Sequence, residues 1–349
     1  MTTAYVTHDR SPEHDLPGHP EHAGRLSAIE SLLATTGVTD RLLCLKSEPA
    51  SEDQLLRVHT SLYIGLLASL SLNGRGLMFG SDTYALPTSY EVARLAAGAA
   101  LRAVDAVVTG EARNALVAAR PPGHHALPDM AMGFCLLANV SLAARHAQAA
   151  HGVERILIVD YDVHHGNGTQ AIFYQDPDVL YISTHQWPWY PGTGDLAEIG
   201  EGDGRGATIN VPLSAGYGDE TFAQVYEQVV WPAARRFQPE LMLISAGFDA
   251  HWDDPLGRMT LTLSGYRHLT DMLVRMAGEL CQGRVVFILE GGYSLPALPH
   301  AVLNIAYALL EEGTVSDPLG LPESAARQRD RLPPIDRLLA QVRDIHHLA

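Results

Sequence analysis

Short apolar runs rich in β-branched residues alternate along the chain with longer segments in which apolar residues recur at helical spacing. Several of the short runs are apolar without interruption, which is typical of parallel strands buried on both faces. The predicted strands are residues 115–119, 155–160, 179–184, 208–211, 241–246 and 285–289. The predicted helices are residues 89–109, 136–151, 219–237, 264–281 and 296–312. This alternation predicts an α/β protein with a doubly wound parallel sheet and helices on both faces.

The chain carries no obvious internal division. No repeat, low-complexity stretch or long linker interrupts it, and the sequence therefore predicts one domain over residues 1–349. Residues 317–349 are predicted to be a C-terminal surface tail. Its first part, to residue 334, is rich in Pro, Arg and Asp, and residues 335–347 are expected to form a last helix.

Composition narrows the class of protein. Hydrophobic residues make up 46% and charged residues 18%, which is ordinary for a soluble globular protein. No apolar run approaches the roughly 20 residues of a membrane-spanning helix, and residues 1–10 have no basic segment followed by an apolar core, so we expect no secretory signal. Cys44, Cys135 and Cys281 lie far apart without a CxxC pair, which favours a reducing, cytoplasmic location.

The net charge indicates which kinds of partner the protein could bind. A formal net charge of −16 makes nucleic acid a poor partner, because phosphate binding needs clustered Lys and Arg. An acidic protein could attract a cationic substrate such as a lysine-rich tail or a polyamine, although solubility alone explains the acidity equally well. We expect no membrane partner, and a homo-oligomer is compatible with the sequence.

The residues with reactive side chains follow predicted strands. The four segments are residues 120–125, residues 160–167, Asp249 and residues 290–293, and each comes after a predicted strand. Parallel α/β sheets place their ligand sites at the carboxyl ends of the strands. Four independent segments therefore predict one site at one edge of the sheet.

The segment after residue 159 predicts a metal site. Asp162 and His164 are two residues apart at a strand end, so both side chains can point to the same side. Asp249 is the natural third ligand, and an Asp/His/Asp set suits Zn²⁺, with Fe²⁺ as an alternative. Such a set leaves a coordination position open for catalysis. The competing interpretation is that these polar residues only cap strand ends.

Two further segments predict acid–base and oxyanion chemistry. His124 and His125 follow a rigid Pro-Pro-Gly turn, and Asp160 and Asn167 are candidates to orient their rings. Tyr293 follows two glycines, and its hydroxyl could donate a hydrogen bond to an oxyanion. Taken singly, the histidine pair could be an ordinary polar loop and the tyrosine a packing residue.

These residues together resemble the histone deacetylase family, which includes bacterial acetylpolyamine amidohydrolases. The resemblance runs from Gly18-His-Pro-Glu-His-Ala-Gly-Arg25 to Glu290-Gly-Gly-Tyr293. Between them lie RPPGHHA (residues 120–126), GFC (133–135), DYDVHHGNGTQ (160–170), PGTG (191–194) and GFDAH (247–251). Five ordered motifs make an accidental similarity very improbable. Asn167 is similar to class II members, since class I members carry Asp there.

The resemblance implies a single-domain arginase/deacetylase-like fold with a parallel sheet of about eight strands. It implies zinc on Asp162, His164 and Asp249, tandem catalytic histidines His124 and His125 paired with Asp160 and Asn167, and a transition-state tyrosine, Tyr293. It implies a substrate tunnel formed by Gly133, Phe134, Tyr190 and, at the rim, Leu256. It implies a structural potassium ion at Asp160, Ser183 and Thr184 with the backbone of Asp162 and His164. It also implies that Arg25 lines a channel for the released acetate.

The expected activity is hydrolysis of an acyl amide by metal-activated water. The substrate would be acetyl-lysine in protein, an acetylated polyamine or another small amine. Leu256 mildly favours an acyl-lysine substrate, whereas Asp82 could bind a cation or a peptide backbone. One alternative is a catalytically inactive acyl-lysine-binding protein. Another is an arginase-like ureohydrolase, which Gly166 and His251 disfavour because a second metal needs carboxylates at those positions.

Overall fold

The structure, a computed structural model, describes residues 2–74, 76–323 and 332–348. The strands are β1 (Thr3–Thr7), β2 (Leu43–Lys46), β3 (Leu77–Phe79), β4 (Thr83–Ala85), β5 (Asn114–Val117), β6 (Ile156–Asp160), β7 (Val179–Gln186), β8 (Thr208–Leu213), β9 (Leu241–Ala246) and β10 (Val285–Leu289). Within the described part of the chain, eight of them form one parallel sheet in the order β2-β1-β5-β10-β9-β6-β7-β8. The remaining two, β3 and β4, pair as an antiparallel hairpin.

The helices lie between these strands in the sequence, except for the last two, which follow β10. They are α1 (Gly24–Thr35), α2 (Glu52–Leu55), α3 (Ser61–Asn73), α4 (Ser89–Val108), α5 (Asn139–His151), α6 (Asn167–Phe173), α7 (Asp219–Val225), α8 (Trp231–Phe237), α9 (Leu263–Leu280), α10 (Leu298–Leu309) and α11 (Asp336–Ile345). Short 3₁₀ segments occur at Ser11–Glu13, Thr39–Arg41 and Gly202–Gly204, and a π-helical turn at Tyr226–Val230 joins α7 to α8. Among the described helices, none combines the length and the apolar character needed to cross a membrane.

The sheet is buried on both faces, as its continuous apolar strands predict. In β6, Leu157 and Val159 join a core with α1 and α7 to α10, whereas Ile156 and Ile158 join a second core with α4 and α5. Successive side chains of a strand point to opposite faces, so a strand between two helical layers is apolar at most positions, and the polar residues Asp160 and Ser245 come at or near the carboxyl ends of β6 and β9. The predicted α/β class, with about eight parallel strands and helices on both faces, is confirmed.

Most element boundaries agree with the sequence prediction within three residues. The helix expected from residue 136 begins at Asn139, and the long helix expected over residues 219–237 is interrupted by the π-helical turn. The sequence predicts none of the strands β1 to β4. In β2 the residues alternate between exposed and half-buried, because β2 is the last strand at one edge of the sheet.

The C-terminal segment is described on either side of residues 324–331, so that part of the predicted tail lies outside the described residues. Asp317 accepts hydrogen bonds from the backbone N–H and hydroxyl of Ser264 at the start of α9. The expected last helix is α11, which buries Leu339 and Val342 in the main core. The assignment of residues 1–349 to a single domain stays a prediction.

Candidate active site

Four strands that are neighbours in the sheet deliver the reactive residues to one edge. Strands β5, β10, β9 and β6 lie side by side and are parallel. Their carboxyl ends therefore meet, and the loops that follow them converge. The register aligns Asp160 of β6 with Ser245 of β9 and with Ser183 of β7. The residues that the sequence predicted after four separate strands are thus brought together.

Asp162, His164 and Asp249 form a compact cluster at this edge. The Nδ1 atom of His164 lies 3.1 Å from Oδ1 of Asp162 and 3.1 Å from Oδ2 of Asp249. One donor atom from each residue lies within 4.8 Å of the other two. Both carboxylates are fully buried. The cluster thus has the composition and the spacing of a three-ligand metal site.

The backbone holds these carboxylates in place. The N–H of Gly291 donates to Oδ2 of Asp162 over 2.9 Å, and the N–H of Val163 donates to Oδ1 of Asp249 over 2.8 Å. A Cβ atom on Gly247 would lie 2.0 Å from Oδ2 of Asp162, so a side chain at residue 247 would displace a carboxylate. The glycines beside these strand ends therefore make room for the cluster.

The electrostatics of the cluster call for a cation. Burial and the Asp162 carboxylate raise the pKa of Asp249 to about 7. Burial alone would lower the pKa of His164, but hydrogen bonds to Asp162 and Asp249 raise it to about 10. Two buried carboxylates that contact the same imidazole are stabilised by positive charge, and a bound cation supplies such a charge. Carboxylate oxygens and an imidazole nitrogen are a donor set that zinc accepts, so these residues fit the metal.

The two histidines have different partners. The Nδ1 atom of His124 lies 3.1 Å from Oδ2 of Asp160, and Nδ1 of His125 lies 2.8 Å from Oδ1 of Asn167. The amide nitrogen of Asn167 donates to the sulfur of Met132, which fixes the orientation of the amide. Because Oδ1 of Asn167 can only accept, Nδ1 of His125 carries a proton and Nε2 is free to accept one.

The charges around the pair separate the two histidines further. Burial alone would lower the pKa of His124, but the carboxylates of Asp162 and Asp160 raise it to about 10. Burial, together with the positive charges of His124 and His164, holds the pKa of His125 well below its ordinary value of 6.5. The arrangement therefore favours a protonated His124 beside a neutral His125.

Glu290 fixes the loop that carries the histidines, a role that the sequence did not reveal. One of its carboxylate oxygens accepts from the N–H of Gly123 over 2.6 Å and from the N–H of His124 over 3.1 Å. The other accepts from the hydroxyl of Ser245 over 3.2 Å. Burial raises the pKa of Glu290 to about 7. The residue links β10, β9 and the histidine loop, so it positions His124 and His125.

A narrow pocket of about 160 Å³ opens above the cluster. The residues that line it are Asp82, His125, Gly133, Phe134, His164, Tyr190, Leu256 and Tyr293. All of them are residues that the sequence assigned to the site. A larger surface cleft, about 450 Å³, lies at the opposite, amino-terminal edge of the sheet, and no His or Cys is among the described residues that line it.

Aromatic rings form the walls of the pocket. The ring of Phe134 meets that of Tyr293 edge to face at 5.8 Å, and the ring of Tyr190 meets that of His125 at 5.2 Å. Gly133 has φ +55°, and a Cβ atom there would lie 2.2 Å from the His125 ring. Glycine at residue 133 therefore allows the wall to approach the histidine. The pocket is shaped for a slender apolar group.

Ser183 and Thr184 lie beside Asp160, as the resemblance implies. Ser183 is the register partner of Asp160, and both side chains are fully buried, as is that of Thr184. The carboxylate of Asp160 is shared among several donors, namely the ring of His124, the hydroxyl of Tyr181 and the N–H of Asp162. Asp160 therefore connects the histidine loop to β6 and β7.

Arg25 lies behind Tyr293 and does not line the pocket. Its guanidinium stacks on the Tyr293 ring at 4.9 Å and donates to the backbone carbonyls of Glu290 and Gly292. Arg25 also pairs with Glu21 at 3.2 Å. It therefore holds the loop that carries the tyrosine.

Glu21 joins two buried arginines, an arrangement that the sequence did not reveal. Its carboxylate receives two hydrogen bonds from Arg120, at 2.6 and 2.7 Å, and one from Arg25. All three side chains are fully buried. Burial alone would raise the pKa of Glu21, but the two guanidinium groups lower it to about 2. This ion network connects the residue before the Pro-Pro-Gly turn to the tyrosine loop.

We expect Glu21→Gln to lower the free energy of unfolding by about 3–5 kcal/mol, because it leaves buried arginine charge uncompensated. Since folding lowers the pKa of Glu21, its contribution is complete above about pH 4.5 and is lost as the pH falls towards 2. Chemical denaturation at several pH values should therefore show the difference between variant and parent shrinking in that window. Glu13→Gln, in the exposed pair with Arg10, is the control and should cost no more than about 1 kcal/mol. Equal losses in the two variants would contradict a stabilising role for the network.

Comparison with known proteins gives consistent matches. A family model described as "Histone deacetylase domain" matches residues 19–309. The chain is similar to a histone deacetylase-like amidohydrolase of Pseudomonas aeruginosa, with 46% identity over 308 residues that cover 86% of this chain and 80% of the relative. It is also similar to the polyamine deacetylase HDAC10 of Mus musculus, with 42% identity over 83% of this chain and 45% of the relative.

A solved structure matches almost the whole chain. It is the crystal structure of the HDA15 HD domain, with a TM-score of 0.87 and 39% identity, covering 99% of this chain and 94% of that one. It confirms the predicted fold.

Proposed function

The chain belongs to the histone deacetylase family and is therefore a deacetylase-type hydrolase, and from that premise we propose that it is a zinc-dependent deacylase that removes acetyl or related acyl groups from an amine. One observation carries the proposal. His164, His125 and Tyr293 line one narrow pocket, and the buried carboxylates of Asp162 and Asp249 lie against His164. A metal site, a general base and an oxyanion donor thus meet where an acyl amide can enter.

Zinc would be held by Oδ of Asp162, Nδ1 of His164 and Oδ of Asp249, with Fe²⁺ as the alternative ion. The bound ion supplies Lewis acidity towards the scissile carbonyl and the attacking water. The surroundings favour one metal. A side chain at Gly166 would start 2.3 Å from Oδ2 of Asp160, which leaves no space for a second-site carboxylate. The ureohydrolase alternative therefore gains no support.

The histidine pair would move the protons. His125, whose Nε2 is free to accept, takes the proton of the attacking water and later returns it to the leaving amine. His124, paired with Asp160, serves mainly as a positively charged neighbour. Glu290 holds both histidines through the backbone of their loop and is a positioning residue.

Tyr293 would donate a hydrogen bond to the oxyanion that forms as water adds to the carbonyl. We expect Tyr293→Phe to keep the fold and the bound metal but to lower turnover by about 100–1000-fold, because one oxyanion donor is lost. Steady-state kinetics with verified zinc content is the measurement. Tyr190→Phe is the matched control, because Tyr190 lines the same pocket and its hydroxyl faces Asp82 at the mouth. An unchanged turnover number for Tyr293→Phe on the best amide substrate would show that Tyr293 only packs.

The substrate would be an acylated primary amine on a slender aliphatic chain, either acetyl-lysine in protein or an acetylated polyamine. The rings of Phe134 and Tyr190 suit the apolar stem. At the mouth, Asp82 offers a carboxylate to a cation or to peptide N–H groups, while Leu256 is apolar. The Leu256 side chain supports acyl-lysine, and the net charge of −16 supports a cationic amine.

A kinetic panel tests the proposal. The zinc-loaded protein is assayed on acetyl-lysine peptides, acetylputrescine, acetylcadaverine and longer acyl-lysines. Activity on at least one class that disappears on chelation and returns with zinc is expected. Binding of acyl-lysine without turnover by the zinc-loaded protein would favour the inactive binding protein instead.

Two further roles complete the proposal. We assign a structural potassium ion to Asp160, Ser183 and Thr184 with the backbone of Asp162 and His164, supported by the close approach of β6 and β7. Arg25 would guide the released acid, supported by its buried guanidinium behind the Tyr293 ring. Both rest on the resemblance and on the placement of these side chains.

A further inference from the structure

A second cluster of ligand-type side chains lies far from the pocket. Asp105 is near the end of α4, and His146 and His151 are on α5, of which His151 is the last residue. Both helices end where the chain enters the amino ends of β5 and β6. The pocket opens at the carboxyl ends of the strands, so the cluster occupies the opposite side of the molecule.

The cluster is compact and reachable from solvent. The Nε2 atoms of His146 and His151 lie 2.7 and 2.6 Å from the same oxygen, Oδ1 of Asp105. The two imidazole rings are nearly perpendicular, at 81°, so their nitrogens converge on one point without stacking. The three donor atoms lie within 4.8 Å of one another. The His151 and Asp105 side chains are 18% and 40% exposed, which leaves a path of entry for an ion.

We propose that Asp105, His146 and His151 form a second metal site that binds a divalent transition-metal ion such as zinc and clamps α4 to α5. Two imidazole nitrogens and one carboxylate oxygen are a donor set for such ions. The site is separate from the one at Asp162 and does not depend on the proposed deacylase function.

The position of the cluster favours a cation. Asp105 and His151 are both in the last turn of their helices, where the helix dipole stabilises positive charge. The helices give a rigid frame, since Ala103 and Val107 of α4 and Ala143 and Ala147 of α5 share one core.

Binding requires only small movements. Ligand atoms around tetrahedral zinc lie about 3.3 Å apart, given metal–ligand distances of about 2.0–2.2 Å. The present separations from Oδ1 of Asp105 are shorter by roughly 0.6 Å, so the imidazoles must move outward slightly. Rotation of the Asp105 side chain, which is partly exposed, provides this adjustment.

Arg57 determines which ring nitrogen of His146 carries the proton when no metal is bound. Its Nη1 donates to Nδ1 of His146 over 3.2 Å, so the proton of that imidazole is on Nε2 and is directed to Asp105. In the metal-bound state Nε2 must offer its lone pair and Nδ1 must carry the proton. The guanidinium of Arg57 then faces a donor and has to withdraw, which its exposure permits. Arg57 therefore weakens the site.

Metal stoichiometry tests the proposal. The full chain and its variants are equilibrated with micromolar Zn²⁺, dialysed and analysed for zinc per chain. We expect His146→Gln and His151→Gln to hold one equivalent less than the parent, and His268→Gln, at an exposed histidine on α9, to match the parent. Asp249→Ala should still bind the zinc ion at the second site, which His151→Gln can no longer bind. If His151→Gln binds as many equivalents of zinc per chain as the parent, the proposal is wrong.

Affinity and stability give independent readouts. Arg57→Gln should tighten zinc binding at this site by roughly tenfold, because the amide oxygen can accept from Nδ1 of His146. Added zinc should raise the melting temperature of Asp249→Ala, and should not do so when His151→Gln is combined with it. An Arg57→Gln variant that binds zinc as weakly as His146→Gln would contradict the arrangement.

Discussion

The Asp249→Ala variant is expected to lose tight zinc binding at the pocket and almost all turnover. The change leaves Asp162 and His164 as protein ligands, and two ligands are too few for a catalytic zinc site. Turnover should fall by more than the roughly 100–1000-fold that loss of a single oxyanion donor costs. The measurement is zinc per chain after dialysis together with kcat on the best amide substrate.

The Asp249→Asn variant separates ligation from loop positioning. Oδ1 of Asp249 accepts the N–H of Val163, and an amide oxygen can keep that hydrogen bond while the charge is lost. We expect Asp249→Asn to be more stable than Asp249→Ala, but we expect both variants to bind zinc poorly. Asp271→Ala, at a carboxylate on α9 that pairs with Arg267, is the control for general charge effects. If Asp249→Ala has the same zinc content and turnover as the parent, Asp249 is not a zinc ligand.

The strands that carry the site were predictable because of where they lie in the sheet. Every residue of β6, β9 and β10 is buried, and all are apolar except Asp160 and Ser245 at or near the strand ends, so these strands stand out in the sequence. The edge strand β2 has four residues that alternate in exposure, and such a short pattern carries little information. The sequence therefore predicts the strands that carry the site better than the edge strand β2.

The reactive residues were predictable for a related reason. The reactive residues of each segment lie close together in the sequence, directly after one strand. The topology of a parallel sheet is therefore sufficient to bring the segments together. The supporting contacts are different. Glu21 pairs with Arg120, which is 99 residues away in the sequence. The Glu290 carboxylate accepts a hydrogen bond from the N–H of Gly123, which is 167 residues away. No local pattern encodes such pairs.

The two histidines should respond unequally to removal. We expect His125→Ala to lower turnover by roughly 100–10,000-fold, the range that general acid–base catalysis supplies, and His124→Ala to retain measurable activity. The reason is the partner of each ring. The amide oxygen of Asn167 accepts a hydrogen bond from the protonated Nδ1 of His125 and leaves Nε2 free in the pocket, whereas His124 is held by the Asp160 carboxylate. The measurement is kcat of each variant on one substrate with verified zinc content.

The partner residues supply the matched test of this assignment. Asn167→Asp would place a carboxylate 2.8 Å from Nδ1 of His125, at the position of the present amide oxygen, and should raise the pKa of that histidine. The lower limb of the pH–rate profile should then move to higher pH, because deprotonated His125 is the form that accepts the proton. Asp160→Asn should leave that limb in place or move it to lower pH, since it removes charge beside His124. A greater loss of activity in His124→Ala, with a nearly normal His125→Ala, would reverse the roles of the two residues.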